Sequence, residues 1–367
     1  MRKGIRLNDS TRAFLKQAYR QYYFGRADQI EFPKDIESRE FGYIPFGGGM
    51  VRHLSFKNPG EAVAEIVRQA PSSVYCSNAR YSAPTLPMEE KGWNGAELIF
   101  DIDATDIPTA CKREHDIWYC EGCGHSGRLP NPKKCPKCRG NTAELKGTCK
   151  TCLDASKDHA FRVVRFLTDD FGTSPEDIRI YFSGNRGYHL HVFDSRFFLL
   201  DQQARGEIAD YLRGGSLPAI QTLAAEVRRG GNWSTTSGWM KKVITYVQEK
   251  EVGYAGTLQK LVSEAVSSQR AMVDASVTID IHRVFRLAGT LHGNTGMRKT
   301  RVTSFDSFDP QVDPVVLSSE PVKVQVRFWP KFSIGGNSFG PFRSTIATIP
   351  IYAAVSILTR GLGEVAS

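Results

Sequence analysis

At 367 residues, with 41% hydrophobic and 24% charged residues, the chain has the composition of a globular protein holding one large domain with insertions or two domains. No apolar run is long enough to span a bilayer, and Met1-Arg2-Lys3-Gly4 does not open a signal peptide. An intracellular, cytoplasmic protein with no membrane role is expected, and its net charge of +9 favours an anionic partner such as nucleic acid.

Residues 11–23 carry Phe14, Leu15, Ala18, Tyr19, Tyr22 and Tyr23 at helical spacing behind the capping candidates Asn8-Asp9-Ser10-Thr11. A hairpin follows: residues 39–46 form one strand, Gly47-Gly48-Gly49 the turn, and residues 50–56 the return strand, which puts Arg52 in a sheet. A short helix over 60–69 leads to the strand Ser73-Val74-Tyr75-Cys76-Ser77, where Cys76 reads as a small buried hydrophobe.

Leu98-Ile99-Phe100-Asp101-Ile102-Asp103 comes next. Its two-residue period sends Asp101 and Asp103 to the same face of a strand. Paired carboxylates repel unless a cation lies between them, so this strand is a candidate site for Mg²⁺ or Mn²⁺.

Seven of the eight cysteines fall between Cys111 and Cys152, in a stretch with few large aliphatic residues. Such a segment cannot build its own apolar core, and reduced intracellular thiols are metal ligands more often than disulfides. Cys120-Glu121-Gly122-Cys123 and Cys135-Pro136-Lys137-Cys138 have the spacing of a closed, tetrahedral Zn²⁺ site. Cys111, His115, Cys149 and Cys152 bracket it and make a possible second zinc site, with His125 the alternative to His115. Four protein ligands leave no open position, so both sites are structural, and Lys133, Lys134, Lys137 and Arg139 present a basic face.

A helix over about 153–171, with Phe161, Val164, Phe166 and Leu167 on its apolar face, ends at Gly172. The strand Ile178-Arg179-Ile180-Tyr181-Phe182 then delivers Ser183-Gly184-Asn185-Arg186-Gly187, and a second strand carries His189 and His191 on one face. Glycines on both sides of an arginine at a strand end let backbone N–H groups and a guanidinium close on a phosphate. Helical patterns over 203–212, 217–229 and 257–268 make a subdomain that covers the sheet. The block 273–293 adds Asp274 and Asp280, followed by Arg283, Arg286 and His292, and residues 351–358 form a buried helix after Pro350.

Several of these stretches match one family. Arg39-Glu40-Phe41-Gly42, Val51-Arg52-His53, Phe100-Asp101-Ile102-Asp103, the run from Ser183 to His191 and the run from Val284 to Gly296 make the chain resemble, in order and across most of its length, the small catalytic subunit of archaeo-eukaryotic primases, the archaeal form most closely. The resemblance implies an α+β fold: a primase catalytic core with an RRM-like sheet (residues 1–104, 155–200 and 271–367), an inserted zinc-binding segment (105–154) and a helical subdomain (201–270). It implies that Asp101, Asp103 and Asp274 are the catalytic metal ligands, with Asp280 the second candidate for the third carboxylate. Ser183, Arg186, His189, Arg286 and His292 then hold the nucleotide, and Arg52 matches a further basic position. The family's own zinc knuckle falls on Cys111, His115, Cys149 and Cys152, which makes the ribbon of Cys120, Cys123, Cys135 and Cys138 an addition. Where the family has Pro-Gly-Ser before Leu-His, this chain has Ala288-Gly289-Thr290, an exchange of little expected consequence.

The implied reaction is synthesis of short primers on single-stranded DNA from nucleoside triphosphates by two-metal nucleotidyl transfer, in partnership with a large regulatory subunit and at the nucleoid. Two rival readings are a repair-type polymerase of the same fold and a non-catalytic zinc-ribbon protein that binds single-stranded DNA.

Overall fold

Alternation decides which way the central strands face. In strand Leu98–Asp103, Leu98, Phe100 and Ile102 enter the main core, while Ile99, Asp101 and Asp103 take the opposite face, where Ile99 packs with Val277 and Phe285. This computed structural model describes residues 7–215, 217–230, 236–250 and 256–366.

Two four-stranded antiparallel sheets form the centre of the mixed α/β fold. The first runs Val284–Arg286, Ser73–Ser77, Phe41–Ile44, Val51–Leu54; the second runs Thr300–Val302, Ile178–Phe182, Gly187–Val192, Leu98–Asp103. Strands Leu98–Asp103 and Ile178–Phe182 flank Gly187–Val192 and are joined through helix Lys150–Arg165, which makes a split β-α-β unit and leaves the aspartate strand at the sheet edge. Helix Ala275–Ile279 covers that edge: the Asp274 N–H, at its N-cap, donates to the Asp101 carbonyl at 2.9 Å. An otherwise unpaired strand edge therefore recruits a third carboxylate.

The expected N-terminal helix is Asp9–Gly25, capped by the Asn8 side chain accepting from the Thr11 N–H at 2.8 Å. Its buried tyrosines do more than pack. Tyr19 and Tyr22 hydroxyls donate to the His292 and Gly289 carbonyls at 3.1 and 2.7 Å, and Tyr23 accepts from the Leu291 N–H. The helix thus holds the loop that bears His292.

Helix Lys150–Arg165 continues into a π-turn, Phe166–Asp170, and buries Leu153, Ala160, Val163, Phe166 and Leu167. Phe161 departs from the sequence reading. One residue off the buried stripe, it is 52% exposed and meets the edge of Phe305. Its neighbour His159 is buried and accepts the Met272 N–H at 3.1 Å, which fixes the segment entering Asp274.

Within 201–270 the helices are Gln202–Arg213, Ile220–Arg229, Gly238–Lys250 and Leu258–Gln269. The third was not anticipated, although Trp239, Val243, Ile244 and Val247 carry helical spacing. Buried Arg205 ties this region to the root of the aspartate strand, donating to the Ala96 and Glu97 carbonyls at 2.6 and 3.0 Å. A long hairpin, Pro321–Trp329 with Phe342–Pro350, and strand Gly363–Val365 were also unforeseen; the expected buried helix Ile351–Leu358 packs on them. Among the described residues, no helix is long and apolar enough to cross a membrane.

Candidate active site

The two sheets face one another across Phe285, whose ring lies edge-to-face with both His189 and His191 at 5.8 Å. Beside it opens a cleft of 180 Å³ lined by Asp101, Asp103, Ser183, His189, Arg286 and His292, with Tyr75, Asn185 and Arg283. The phosphate-type loop, the aspartate strand and the C-terminal basic block therefore meet at one place.

Sheet register sets the carboxylates opposite the loop. Asp103 pairs with Gly187 and Asp101 with His189. A Cβ on Gly187 would lie 1.9 Å from the Ile102 carbonyl oxygen, so only glycine lets the loop strand close on the aspartate strand. Gly184 has φ +81° and would meet the Met297 carbonyl at 2.8 Å, so the turn is built from two obligate glycines.

Burial, followed by the charges of Asp103 and Asp274, pushes the Asp101 carboxyl up to about 7. Asp103 Oδ1 accepts from Arg186 Nε at 2.9 Å and from the Thr105 N–H and hydroxyl at 2.8 and 2.9 Å. Asp274 Oδ1 accepts from the Ser276 N–H and hydroxyl at 2.9 and 2.7 Å. Asp280 is engaged elsewhere: it accepts from the His282 N–H at 3.0 Å, and its charge bears on Tyr81. Of the two candidates for a third carboxylate, Asp274 is the one beside Asp101.

The histidines are neutral. Burial, then the Lys299 charge, holds His189 well below the usual imidazole range; burial, then Arg286, Arg360 and Arg186, do the same for His292. His292 Nδ1 accepts the Asn294 N–H at 3.2 Å, so its proton sits on Nε2. His189 Nε2 lies 3.4 Å from Asp101 Oδ1, while its buried Nδ1 has no protein partner among the described residues. Arg286 lies 5.3 Å over the Tyr75 ring and donates to the Leu291 carbonyl at 3.1 Å. Lys299, buried and pushed down to about 7 by burial and Arg286, donates to the Arg286 carbonyl at 2.9 Å.

Arg52 is not brought to the cleft. It grips Glu40 with two bonds, Nε to Oε1 at 2.8 Å and Nη2 to Oε2 at 3.1 Å, because that fully buried carboxylate requires compensating cations and takes Lys91 as well. Arg283, Asn185, Tyr75 and Lys299 are residues that the sequence reading did not assign to the site. Arg283 had a visible signal, its place three residues before Arg286 in the same basic block.

Two further clusters lie in the cysteine-rich segment. Ligand atoms of Cys111, His115, Cys149 and Cys152 lie within 4.8 Å of one another, and so do those of Cys120, Cys123, Cys135 and Cys138. Sulfur–sulfur distances of 3.4 Å for Cys111–Cys152 and Cys120–Cys138 suit tetrahedral thiolate sites, and both donor sets fit zinc. His125 packs edge-on against Trp118 instead. Strands Ile117–Cys120, Ser126–Arg128 and Thr142–Leu145 form a small sheet between the clusters. Among the described residues the aspartates do not form a group that tight, since Asp103 turns to Arg186 and Asp274 to Ser276. Hard carboxylate oxygens still fit Mg²⁺ or Mn²⁺, and a cation beside Asp101 would relieve the repulsion that raises its pKa.

Carboxylates facing arginines and neutral imidazole donors across a small cleft make a place to hold a metal-bound polyphosphate. Comparison with known proteins points the same way. The family model described as DNA primase small subunit matches residues 133–304. The DNA primase small subunit PriS of Nitrosopumilus maritimus (strain SCM1) is 34% identical over 375 residues, covering 98% of this chain and 100% of that protein. Its counterpart in Cenarchaeum symbiosum (strain A) is 34% identical over 372 residues, covering 96% and 98%. The counterpart in Archaeoglobus fulgidus is 32% identical over 376 residues, again covering 96% and 98%. With relatives this similar aligned end to end, and the cleft built from the stretches that first suggested them, the chain belongs to the DNA primase small subunit family.

Proposed function

We propose that the chain is the catalytic subunit of a DNA primase and that the cleft between the sheets joins nucleotides on a single-stranded DNA template. The convergence of Asp101, Asp103, Ser183, His189, Arg286 and His292 on one cleft, with the Asp274 N–H bonded to the Asp101 carbonyl beside it, is the observation that carries this reading. Two divalent ions, Mg²⁺ or Mn²⁺, held by these aspartates would supply activation of a 3′-hydroxyl and neutralisation of the pyrophosphate leaving group.

The chain's own residues position the triphosphate. Arg186 commits Nε to Asp103, and the rest of its guanidinium fork offers donors to phosphate oxygens. Arg286, steadied by Tyr75 and by its bond to the Leu291 carbonyl, supplies a second cation. His292 offers Nε2–H as an uncharged donor, and His189 stands between Asp101 and the basic side. A polar, partly enclosed cleft makes each of these interactions stronger than in bulk water.

The two cysteine clusters hold zinc structurally, and a large regulatory subunit completes the enzyme, as the family's name for the small subunit implies. A repair polymerase and a non-catalytic DNA-binding protein are not favoured, the latter because it leaves the carboxylate cleft without a purpose. The test is primer synthesis on an unprimed homopolymer template with labelled NTP or dNTP and with Mg²⁺ or Mn²⁺. Asp101→Asn should lower kcat by orders of magnitude while the thermal midpoint stays at or above that of the wild type, since one member of a repelling group is gone. Near-full synthesis by Asp101→Asn would overturn the proposal.

A further inference from the structure

A second cavity, of 320 Å³, lies between the segment that carries His115 and the C-terminal hairpin. Its size falls within the roughly 300–1,000 Å³ typical of small-ligand pockets. Asn185 lines both this cavity and the catalytic cleft, so the two adjoin at the phosphate loop. Nothing in the catalytic reading uses it.

Its walls combine two kinds of side chain. Trp329 and Phe332 form an edge-to-face pair, 6.0 Å between ring centres, on the turn that leaves strand Pro321–Trp329. Lys146, Lys331 and Arg360 bring three positive charges, against one carboxylate, that of Glu114. The Arg360 guanidinium lies 5.3 Å over the Trp329 ring and donates to the Asn294 and Ser356 carbonyls, which fixes it in the floor. Lys146 and Lys331 are exposed and come from the two segments that line the cavity, the one that carries His115 and the C-terminal hairpin. An apolar aromatic wall beneath a cationic rim is the chemistry that takes a base by packing and its phosphates by charge.

We propose that this cavity seats one nucleotide unit of the single-stranded template, next to the position being copied. The proposal rests on the template-directed reading of the cleft. A strand, rather than a free nucleotide, is favoured because the cavity adjoins the cleft at Asn185, so that a unit seated in it lies one residue away from the position being copied. Phe332 supplies the packing surface, and Lys331 and Lys146 meet the phosphates on either side.

The experiment measures binding of a fluorescein-labelled oligothymidylate to the full zinc-loaded chain by anisotropy across a salt series. Phe332→Ala should weaken binding by about fivefold to a hundredfold, the effect of losing one base–aromatic contact. Lys331→Gln changes an exposed residue with little risk to folding and should reduce the slope of log affinity against log salt by about 0.7, one phosphate contact on a single strand. The KM for nucleoside triphosphate should stay unchanged in both variants. Wild-type affinity and salt slope in both variants would overturn the proposal, as would a raised KM with unchanged oligothymidylate binding, which would assign the cavity to a free nucleotide. If the wild type incorporates no nucleotide yet the variants bind the strand less well, the catalytic reading fails and the strand site stands.

Discussion

His159 allows the approach to Asp274 to be tested by pH alone. Its ring is buried, its Nδ1 accepts the Met272 N–H at 3.1 Å, and burial, followed by the charges of Arg162 and Arg270, pushes its pKa down to about 4. In the unfolded chain the ordinary value is about 6.5. Between these values the unfolded state binds a proton that the folded state refuses, so stability is full above pH 6.5 and declines as the pH falls toward 4. Worked through the linkage relation, the loss is about 2 kcal/mol between pH 7 and pH 5 and about 3 kcal/mol once both states are protonated. His159→Gln keeps a polar group near Met272 and removes the titration. Urea unfolding of wild type and variant, each with the same zinc excess so that thiolate protonation is common to both, should show the wild-type advantage shrinking by about 2 kcal/mol over that interval. An advantage that stays constant from pH 7 to pH 5 would refute the claim that a neutral, buried imidazole holds this segment.

Gly187→Ala should separate the loop strand from the aspartate strand, because the added methyl meets a backbone carbonyl at 1.9 Å that has nowhere to go; a loss above about 3 kcal/mol or insoluble protein is expected, and wild-type stability would contradict the close approach. Zinc analysis should find two ions per chain, one for each cluster, with Cys135→Ser and Cys152→Ser each losing one and leaving the other in place. Loss of both ions from either single variant would mean that the two clusters are one cooperative unit. Arg186→Ala should raise the KM for nucleoside triphosphate by about tenfold to a hundredfold, as expected when a charged hydrogen bond worth roughly 1.5–3 kcal/mol is removed. Arg52→Ala, by contrast, should reduce stability by leaving Glu40 short of a cation while barely changing that KM; thermal melts and nucleotide titrations separate the two effects.

Features encoded within a few residues were legible before any coordinates. The two-residue period put Asp101 and Asp103 on one face, the spacing of the cysteine pairs marked groups able to hold a metal, and Gly184 with Gly187 marked a tight turn, because strand geometry, ligand reach and backbone freedom are local properties. What only the tertiary structure decided depends on groups remote in sequence. Asp274 rather than Asp280 stands beside Asp101 because the aspartate strand lies at a sheet edge whose carbonyl needed a donor, and Asp274 begins the helix that covers it. Arg52 is drawn to Glu40 by that carboxylate's complete burial, and the tyrosines of the first helix hold the His292 loop through hydroxyls whose targets lie at the far end of the chain. Sequence patterns state what each side chain can do; which neighbour it meets follows from the path of the chain and from the cost of leaving a buried polar group without a partner.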